Sequence, residues 1–476
     1  MTARPRLIVH GHCYQPSRSD PWSGQIPEEP AAAPYHDWNA RIDAECYRPN
    51  VERGNLARIS FDLGPTLATW LAREDPATYA GVLASDQPGA RAMAQPYHHT
   101  ILPLASMADR RTEIRWGLRD FELRFGRPAR GLWLPETAVD LPTLRVLADE
   151  GISYTILAPW QAADAELESR RLYRVAIGGG RTMIVAFYDR EMSGTVSFDS
   201  GATADADQFA VEHVEPRLAD AEFEDDTPAL AVIATDGELY GHHKAFRDLF
   251  LQRLVAPQAS SAIVRSFDVV GFASALEESD GQAFPMTAIL ERTSWSCHHG
   301  VARWTAECPD AADGRWKGPL RAALDRLAAG IDAVSVDLLR TAAPGADANG
   351  LLGAARDGYV DVVYVALEAD AFAARWLPDA TAEDRRLLIS VLEAQRWRLA
   401  MFASDGWFWD DPARSETAQI LRAAARAVRL IDGLAGTRLE SRLVDDLSVL
   451  RSPSMGADGS ALYREALVAV GQPPPR

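Results

Sequence analysis

Three short apolar runs in the first half of the chain end abruptly in polar side chains. They are Arg6–His12 (RLIVHGH), Gly131–Glu136 (GLWLPE) and Ala229–Glu238 (ALAVIATDGE). A continuous apolar run that stops at charged residues is typical of a buried parallel strand. Because active sites form at the carboxyl edge of parallel sheets and barrels, we expect these three strand ends to face one another.

Helical and strand-like patterns alternate around these runs. Further strands are predicted at Tyr154–Leu157 and Met183–Tyr188, and helices at Ile59–Ala72, 109–125, Leu141–Glu150 and Gln208–Leu218. Strands that alternate with helices at this spacing predict βαβ units and a parallel sheet. The repeated polar strand ends favour a barrel over an open sheet.

The pattern changes near residue 280. Beyond it Ala, Leu, Arg and Asp dominate, and no convincing strand is predicted. Helical runs occupy Gly318–Leu339, Tyr359–Arg375, Ala382–Phe402 and Glu416–Asp432. We therefore expect an α/β domain over residues 1–280, followed by an α-helical domain over residues 281–476 that contributes to the cleft.

The chain is acidic, with a formal net charge of −18 over 476 residues. Such a charge does not suit a phosphate backbone or an anionic membrane, so we expect neither nucleic acid nor membrane as a partner. No run approaches the roughly 20 apolar residues of a spanning helix, and no signal peptide is recognised at the N-terminus. The four scattered cysteines are too few for a disulfide framework, which predicts a cytoplasmic location.

Carboxylates mark two of the strand ends. Glu136 follows Trp133 closely, while Asp236 and Glu238 end the run that starts at Ala229. Alone, each has a simpler interpretation, as a solvated acid or as a helix N-cap with first-turn acids. Together, two carboxylates on separate strand ends beside aromatic residues have the composition of a glycoside hydrolase site. There one acid attacks the anomeric carbon or activates water, and the other protonates the leaving oxygen.

Histidines mark the first strand end. His10 and His12 are two residues apart, so their side chains point to the same side of an extended strand. With His98, His99 and Asp236 they could hold a metal ion. Alternatively, they orient the hydroxyl groups of a sugar, or are core histidines bonded to a carbonyl.

A second polar cluster lies in SWSCHHGVARW, from Ser294 to Trp304. Cys297, His298, His299 and Cys308 could form a zinc site, but the spacing of the two cysteines is not that of a zinc knuckle. Structural packing with a tryptophan platform for sugar is the favoured interpretation.

Five motifs in chain order resemble those of glycoside hydrolase family 57. They are HGHCYQP, PYHHTILPL, GLWLPE, ATDGELYGHH and ERTSWSCHHGVARW. The helical part resembles the uncharacterised domain that follows the barrel in one subset of this family. The resemblance implies an incomplete (β/α)7 barrel followed by an all-helical domain, with α-glucan substrates, a retaining mechanism and no required metal or cofactor.

The resemblance also implies roles for individual residues. Glu136 corresponds to the nucleophile of the family and Asp236 to its general acid/base. Substrate-binding side chains are then expected at His10, His12, Gln15, His98 and Glu238, and aromatic stacking at Trp133, Tyr240, Trp295 and Trp304. The expected enzyme is of the amylase, 4-α-glucanotransferase or branching type and acts on an oligo- or polysaccharide. Its oligomeric state is left open.

Two other classes of function fit some of the same residues. A metal-dependent barrel hydrolase, such as a deacetylase or amidohydrolase, would use His10, His12, His98 and Asp236. A non-catalytic glycan-binding protein would bind glucan and release no product. Metal analysis and product analysis distinguish these classes from a retaining glycosidase.

Overall fold

The computed structural model describes residues 4–87, 89–219, 223, 227–256, 265–278, 284–309 and 313–475. The strands in these ranges are β1 (Arg6–Cys13), β2 (Ser60–Leu63), β3 (Ala92–Met93), β4 (Tyr154–Leu157), β5 (Leu172–Gly178), β6 (Arg181–Phe187), β7 (Leu230–Asp236), β8 (Asp268–Val269) and β9 (Met286–Thr287). One sheet has the order β3-β2-β1-β7, with β8 also paired to β1, and a second has the order β4-β6-β5-β9.

Two isolated parallel bridges join the sheets. Ala94 pairs with Leu132, and Gly131 pairs with Tyr154, so segment 131–132 lies between β3 and β4. The parallel order is therefore β7-β1-β2-β3, segment 131–132, β4 and β6, which makes seven parallel positions. The backbone N–H of Asp189, just after β6, donates to Val232 of β7 at 2.7 Å. This arrangement is the predicted seven-stranded α/β barrel, and the predicted fold class is confirmed.

The register of β1 sets the polar edge of the barrel. His10 lies opposite Ser60 of β2, and His12 lies opposite Asp62. On the other side of β1, His12 lies opposite Asp236 of β7. Because side chains alternate along a strand, this register brings three chemistry-bearing residues to one level at the carboxyl ends.

Helices follow most barrel strands. They are α1 (Trp38–Ile42), α2 (Arg48–Glu52), α3 (Pro65–Glu74), α4 (Pro76–Ser85), α5 (Met107–Phe125), α6 (Leu141–Asp149), α7 (Arg190–Phe198), α8 (Ala206–Phe209), α9 (Glu215–Ala219), α10 (Arg247–Leu254) and α11 (Phe272–Glu278). Aspartate caps begin several of them: Asp140 accepts from the backbone of Thr143, and Asp189 from that of Met192. Such caps satisfy backbone donors that the first helical turn leaves unpaired.

The C-terminal part is helical. Its helices are α12 (Lys317–Ala342), α13 (Ala348–Gly358), α14 (Val360–Val363), α15 (Ala369–Trp376), α16 (Ala382–Ala400), α17 (Asp405–Phe408), α18 (Ser415–Ala435), α19 (Leu439–Leu447) and α20 (Gly459–Val468). Helix α16 packs against α12 and α18, and α18 packs against α20. Among the described residues, no helix has both the length and the apolar character needed to cross a bilayer.

Most predicted elements are present, with instructive exceptions. The prediction of a helix over Ile59–Ala72 is wrong for its first part, because Ser60–Leu63 is strand β2 and the helix begins at Pro65. The predicted helix Tyr359–Arg375 is divided between α14 and α15, with Val365 at a φ of 60° between them. Strand β9 lies beyond residue 280, where no strand was predicted.

The backbone forms two compact units. The barrel unit contains Met1–Gln15, Glu28–Gln95 and Phe121–Trp295, and the helical unit contains Pro16–Pro27, Pro96–Asp120 and Ser296–Arg476. The units are thus interleaved along the chain rather than contiguous. The predicted boundary at residue 280 lies outside the described residues, and the division of the chain at that point stays a prediction.

The turn after β7 depends on a glycine that no other residue can replace without strain. Gly241 has a φ of +149°, and a Cβ on it would lie 2.2 Å from the carbonyl oxygen of Glu45. We predict that Gly241→Ala destabilises the protein by more than about 2 kcal/mol, since backbone atoms must move. Thermal unfolding followed by circular dichroism measures the effect.

Gly151→Ala is the matched control for this substitution. Gly151 also has a positive φ, +88°, but a Cβ there meets nothing within 4 Å. Gly151→Ala should lower the free energy of unfolding by only about 1 kcal/mol, because only the left-handed backbone conformation disfavours alanine there. Equal losses of stability in Gly241→Ala and Gly151→Ala would contradict the close approach of Gly241 to the carbonyl oxygen of Glu45.

Candidate active site

A buried carboxylate holds the two histidines of β1. Asp62 Oδ1 lies 2.9 Å from His10 Nε2, and Oδ2 lies 2.9 Å from His12 Nδ1. Gln95 donates from its side-chain amide to Oδ2, and Ser60 Oγ lies 3.2 Å from His10 Nδ1. All five side chains are buried. The paired register of β1 and β2 makes this contact possible, although the residues are about fifty positions apart.

The charges around Asp62 make His12 a cation at neutral pH. Burial opposes protonation of His12, but the charge and hydrogen bond of Asp62, together with Asp236 and Glu238, raise its pKa to about 9. His10 differs, because burial lowers its pKa. Burial also opposes ionisation of Asp62, yet the neighbouring histidines lower its pKa. The result is a buried Asp62–His12 ion pair beside two further carboxylates.

The acids after β7 occupy different environments. Asp236 is the exposed final residue of the strand, whereas Glu238 is buried. Glu238 accepts a hydrogen bond from the Tyr14 backbone at 3.1 Å and another from the hydroxyl of Tyr47. Burial and the charge of Asp236 raise the pKa of Glu238 to about 7. Glu238 is thus fixed by the protein, while Asp236 faces solvent.

Glycine lets this turn pass close to β1. A Cβ on Gly237 would lie 2.6 Å from the sulfur of Cys13 and 3.1 Å from the carbonyl oxygen of His12. A larger residue would therefore push the turn, with Asp236 and Glu238 on either side, away from β1.

Glu136 sits on a turn with unusual backbone geometry. Its φ of 57° and ψ of 21° lie in the left-handed region, which non-glycine residues rarely adopt. Trp295 bonds it twice: the indole N–H donates to Glu136 Oε2 at 3.1 Å, and the backbone N–H donates to its carbonyl at 3.0 Å. These bonds fix the position of the carboxylate.

Aromatic rings connect the strand ends. Trp133 stacks on His10 at a centroid distance of 4.7 Å and on His12 at 5.2 Å. Its edge meets Trp295 at 5.1 Å, and Trp295 meets Tyr188 at 6.4 Å. Burial and the charge of Asp236 raise the pKa of Tyr188. Trp133, Trp295 and Tyr188 thus form one continuous ring cluster. Glu136 is hydrogen-bonded to Trp295, and the charge of Asp236 acts on the hydroxyl of Tyr188.

The structure brings together most of the predicted site residues. His10, His12, Gln15, Trp133, Glu136, Asp236, Glu238, Tyr240 and Trp295 belong to the barrel unit, whereas His98 and Trp304 belong to the helical unit. Within the helical unit, His98 Nδ1 lies 2.9 Å from Glu113 Oε1.

Several predicted contact residues have internal roles. Gln15 donates to the hydroxyl of Tyr47 at 3.4 Å, next to Glu238. Tyr240 is buried, and its hydroxyl accepts from Thr235 at 3.4 Å. The rings of Trp133, Tyr240 and Trp304 are at most 2% exposed, so they offer no open face to a sugar. Trp295 is only partly buried.

Asp62, Tyr47 and Gln95 are among the site residues that sequence analysis missed. Asp62 lies in a four-residue strand that continues into a helix, so its weak period-two pattern was interpreted as helical. Tyr47 and Gln95 lie outside any recognisable motif, and only the fold brings them to Glu238 and Asp62.

Sequence models identify both parts of the chain. Residues 91–272 match the model for Glycosyl hydrolase family 57, and residues 313–470 match the model for a domain of unknown function, DUF3536. The chain carries a family 57 glycosyl hydrolase domain. It is therefore an enzyme of the glycoside hydrolase class. A search among curated proteins finds no match.

Several solved structures share the fold of this chain. An exo-type maltose-forming amylase from Pyrococcus sp. ST04 aligns with a TM-score of 0.74 at 14% identity, covering 97% of this chain and 88% of that chain. A family 57 branching enzyme from Thermococcus kodakaraensis aligns with a TM-score of 0.61 at 16% identity, covering 97% and 94%. The α-amylase AmyC from Thermotoga maritima aligns with a TM-score of 0.56 at 12% identity, covering 97% and 99%. At these identities the likeness establishes the fold.

The raised pKa of Glu238 makes stability depend on pH. A folded pKa of about 7 lies above the ordinary value of 4.5, so the stabilisation from protonated Glu238 is present below pH 4.5 and is lost as pH rises through 7. We predict that, between about pH 5 and about pH 8, the wild-type protein loses about 2–3 kcal/mol more stability than Glu238→Gln.

Urea unfolding of both proteins across this pH range measures the difference. Other titrating groups, such as Asp43, are common to the two chains and cancel in the comparison. Parallel pH profiles for the wild-type protein and Glu238→Gln would contradict the assignment.

The pKa of His12 depends on Asp62. We predict that Asp62→Asn lowers it from about 9 toward the ordinary value of 6.5, because the nearest negative charge is lost. Nitrogen-15 NMR of the imidazole rings follows the titration. Ser60→Ala, which removes a contact of His10 but none of His12, is the control and should leave the His12 titration in place. A His12 pKa that stays near 9 in Asp62→Asn would exclude Asp62 as its cause.

Proposed function

We propose that the chain is a retaining enzyme acting on α-glucosidic bonds, with Glu136 as nucleophile and Asp236 as general acid/base. The observation that carries this proposal is the position of the two carboxylates: Glu136 is hydrogen-bonded to Trp295, which packs on Trp133, and Trp133 stacks on His12, which lies opposite Asp236 in the strand register. Glycoside hydrolysis through a covalent intermediate requires two such acids, one as the nucleophile and one as the general acid/base.

The environment of Glu136 suits a nucleophile. The Trp295 indole N–H donates to Oε2 at 3.1 Å and so holds the carboxylate in one orientation. The left-handed backbone at Glu136 is the kind of local strain that concentrates at functional sites. The Glu136 carboxylate would attack the anomeric carbon and form a glycosyl ester as the leaving oxygen departs.

The exposure of Asp236 suits proton transfer. In the first step its carboxyl group would protonate the leaving oxygen, and in the second its carboxylate would take a proton from the incoming hydroxyl. That hydroxyl comes from water in hydrolysis and from a second sugar in transfer. The neighbouring Glu238 is buried and bonded to Tyr47, so it supports the turn rather than reaching substrate.

His12 provides a fixed positive charge at the same edge. Its Nδ1 lies 2.9 Å from Asp62 Oδ2, and this contact holds the imidazolium in place. Trp295, with its partly buried ring, is the aromatic residue we assign to sugar stacking.

An α-glucan is the proposed substrate. The structural neighbours include a maltose-forming amylase, a 4-α-glucanotransferase and a branching enzyme. Hydrolysis and transfer on an α-glucosidic bond differ in the acceptor, which is water in one and a sugar in the other. Incubation with maltooligosaccharides identifies the acceptor: products both longer and shorter than the input indicate transfer, and only shorter products indicate hydrolysis.

The metal-dependent hydrolase alternative has less support. Both ring nitrogens of His10 lie within hydrogen-bond distance of protein groups, Ser60 and Asp62. His98 is the third ligand of that alternative, and its Nδ1 lies 2.9 Å from Glu113 Oε1.

Substitution of the two carboxylates tests the proposal. We predict that Glu136→Gln and Asp236→Asn each reduce kcat/KM on maltooligosaccharides by roughly 10³-fold or more. A fluorinated glycosyl donor should label the wild-type protein covalently, but not Glu136→Gln, as measured by intact-protein mass spectrometry.

Glu277→Gln is the matched control. Glu277 is an exposed acid of the barrel unit, paired with Arg130 at 2.8 Å, and surface pairs of this kind contribute little. This variant should keep full activity and labelling. Undiminished labelling of Glu136→Gln would overturn the assignment, and glucan binding without product in the wild-type protein would favour a glycan-binding role.

A further inference from the structure

Three potential metal ligands converge within the helical unit. The side chains of Cys297, His299 and Cys308 bring their ligand atoms to within 4.8 Å of one another. Both cysteines are buried, and His299 is exposed. The three residues come from the segment of the helical unit that precedes α12 in the chain.

The spacing of these atoms fits a tetrahedral zinc ion. Cys297 Sγ lies 3.5 Å from Cys308 Sγ, and Cys308 Sγ lies 3.6 Å from His299 Nδ1. Zn–S bonds of about 2.3 Å and Zn–N bonds of about 2.0 Å at a tetrahedral angle place two sulfurs about 3.8 Å apart, and sulfur and nitrogen about 3.5 Å apart. The sulfur separation exceeds the ~2.05 Å of a disulfide bond.

A buried lysine supports negative charge at the cluster. Lys317 is fully buried, and its Nζ has no hydrogen-bond partner among the described residues. Cys297 and Cys308 are among the groups that interact electrostatically with this lysine. A buried ammonium without a bonded partner is costly unless anions lie near it. Two metal-bound thiolates would provide such anions.

We propose that Cys297, His299 and Cys308 bind one Zn²⁺ ion, with solvent as the fourth ligand on the exposed side of His299. Soft thiolates with one imidazole favour zinc over calcium or magnesium. Binding deprotonates both thiols, so two protons are released and no redox step is involved. This site is independent of the catalytic assignment, because none of its residues takes part in the proposed reaction.

The loop gives the ion a structural purpose. Between Ser296 and Thr305 the only helical segment is a short 3-10 turn, Ala302–Trp304, and yet this turn buries the Trp304 ring. Regular backbone bonds contribute little to such a loop, so closing it costs conformational entropy. A zinc ion bound by Cys297 and His299 near the start of the loop and by Cys308 near its end would offset that cost, as zinc does in small metal-stabilised folds.

Metal analysis of the untagged full chain tests the site. We expect about one equivalent of zinc per chain in the wild-type protein and its loss in the double variant Cys297→Ser/Cys308→Ser. Replacement by Co²⁺ should give the intense visible bands of a tetrahedral ion, with a thiolate-to-cobalt charge-transfer band in the near ultraviolet. Chelation should lower the Tm of the wild-type protein but not that of the double variant.

Two further variants make the result decisive. His299 is exposed, so His299→Ala should fold normally while weakening zinc binding by more than about 100-fold, beyond the loss seen when only an outer hydrogen-bond partner is removed. Cys46→Ser removes a buried thiol elsewhere and should keep its zinc.

Three results would overturn the proposal. They are wild-type protein without zinc or tetrahedral cobalt bands, a Cys297–Cys308 disulfide found by non-reducing mass spectrometry, and equal zinc content in all variants. Circular dichroism of each variant confirms that a lost signal is not a loss of folding.

Discussion

A buried negative charge at Asp62 is the constraint on which the barrel edge depends. Burying a carboxylate costs several kcal/mol unless partners replace its water. Here His10, His12 and Gln95 fill that role, and His12 becomes a cation in return. Removing His12 would leave the charge of Asp62 without its cation in the barrel interior. The positions of β1, β2 and β3 at this edge are therefore coupled through a single carboxylate.

The same cation organises the acids of β7. Asp236 and Glu238 lie two residues apart on a turn beside His12, and their charges both raise the pKa of that histidine. The two acids differ in burial. Glu238 is buried and hydrogen-bonded to Tyr14 and Tyr47, and its pKa is raised to about 7, whereas Asp236 faces solvent. Of the two acids on this turn, Asp236 is therefore the one that solvent reaches.

Glu136 is held by a network that offsets its backbone strain. Both Glu136 and Thr137 have positive φ angles. Trp295 bonds the side chain and the carbonyl of Glu136, and Gln161 accepts from the Thr137 hydroxyl and donates to its carbonyl, both at 2.8 Å. A conformation that costs of order 1–3 kcal/mol per residue persists only when its surroundings specify it this fully. The nucleophile proposed here is therefore positioned before any substrate arrives.

The sequence by itself determined the class of fold, the long helices after residue 316 and the strand ends that carry Glu136 and Asp236. Hydrophobic periodicity is a local property, so it reports which residues of a segment are buried and where that segment ends. It could not find Asp62, because a four-residue strand running into a helix leaves too short a pattern. The tertiary structure alone decided that Asp62 joins His10 and His12, that Trp133 is too buried to contact a sugar, and that Cys297, His299 and Cys308 converge. Each of these depends on strand register or loop closure, which bring together atoms that the chain order keeps apart.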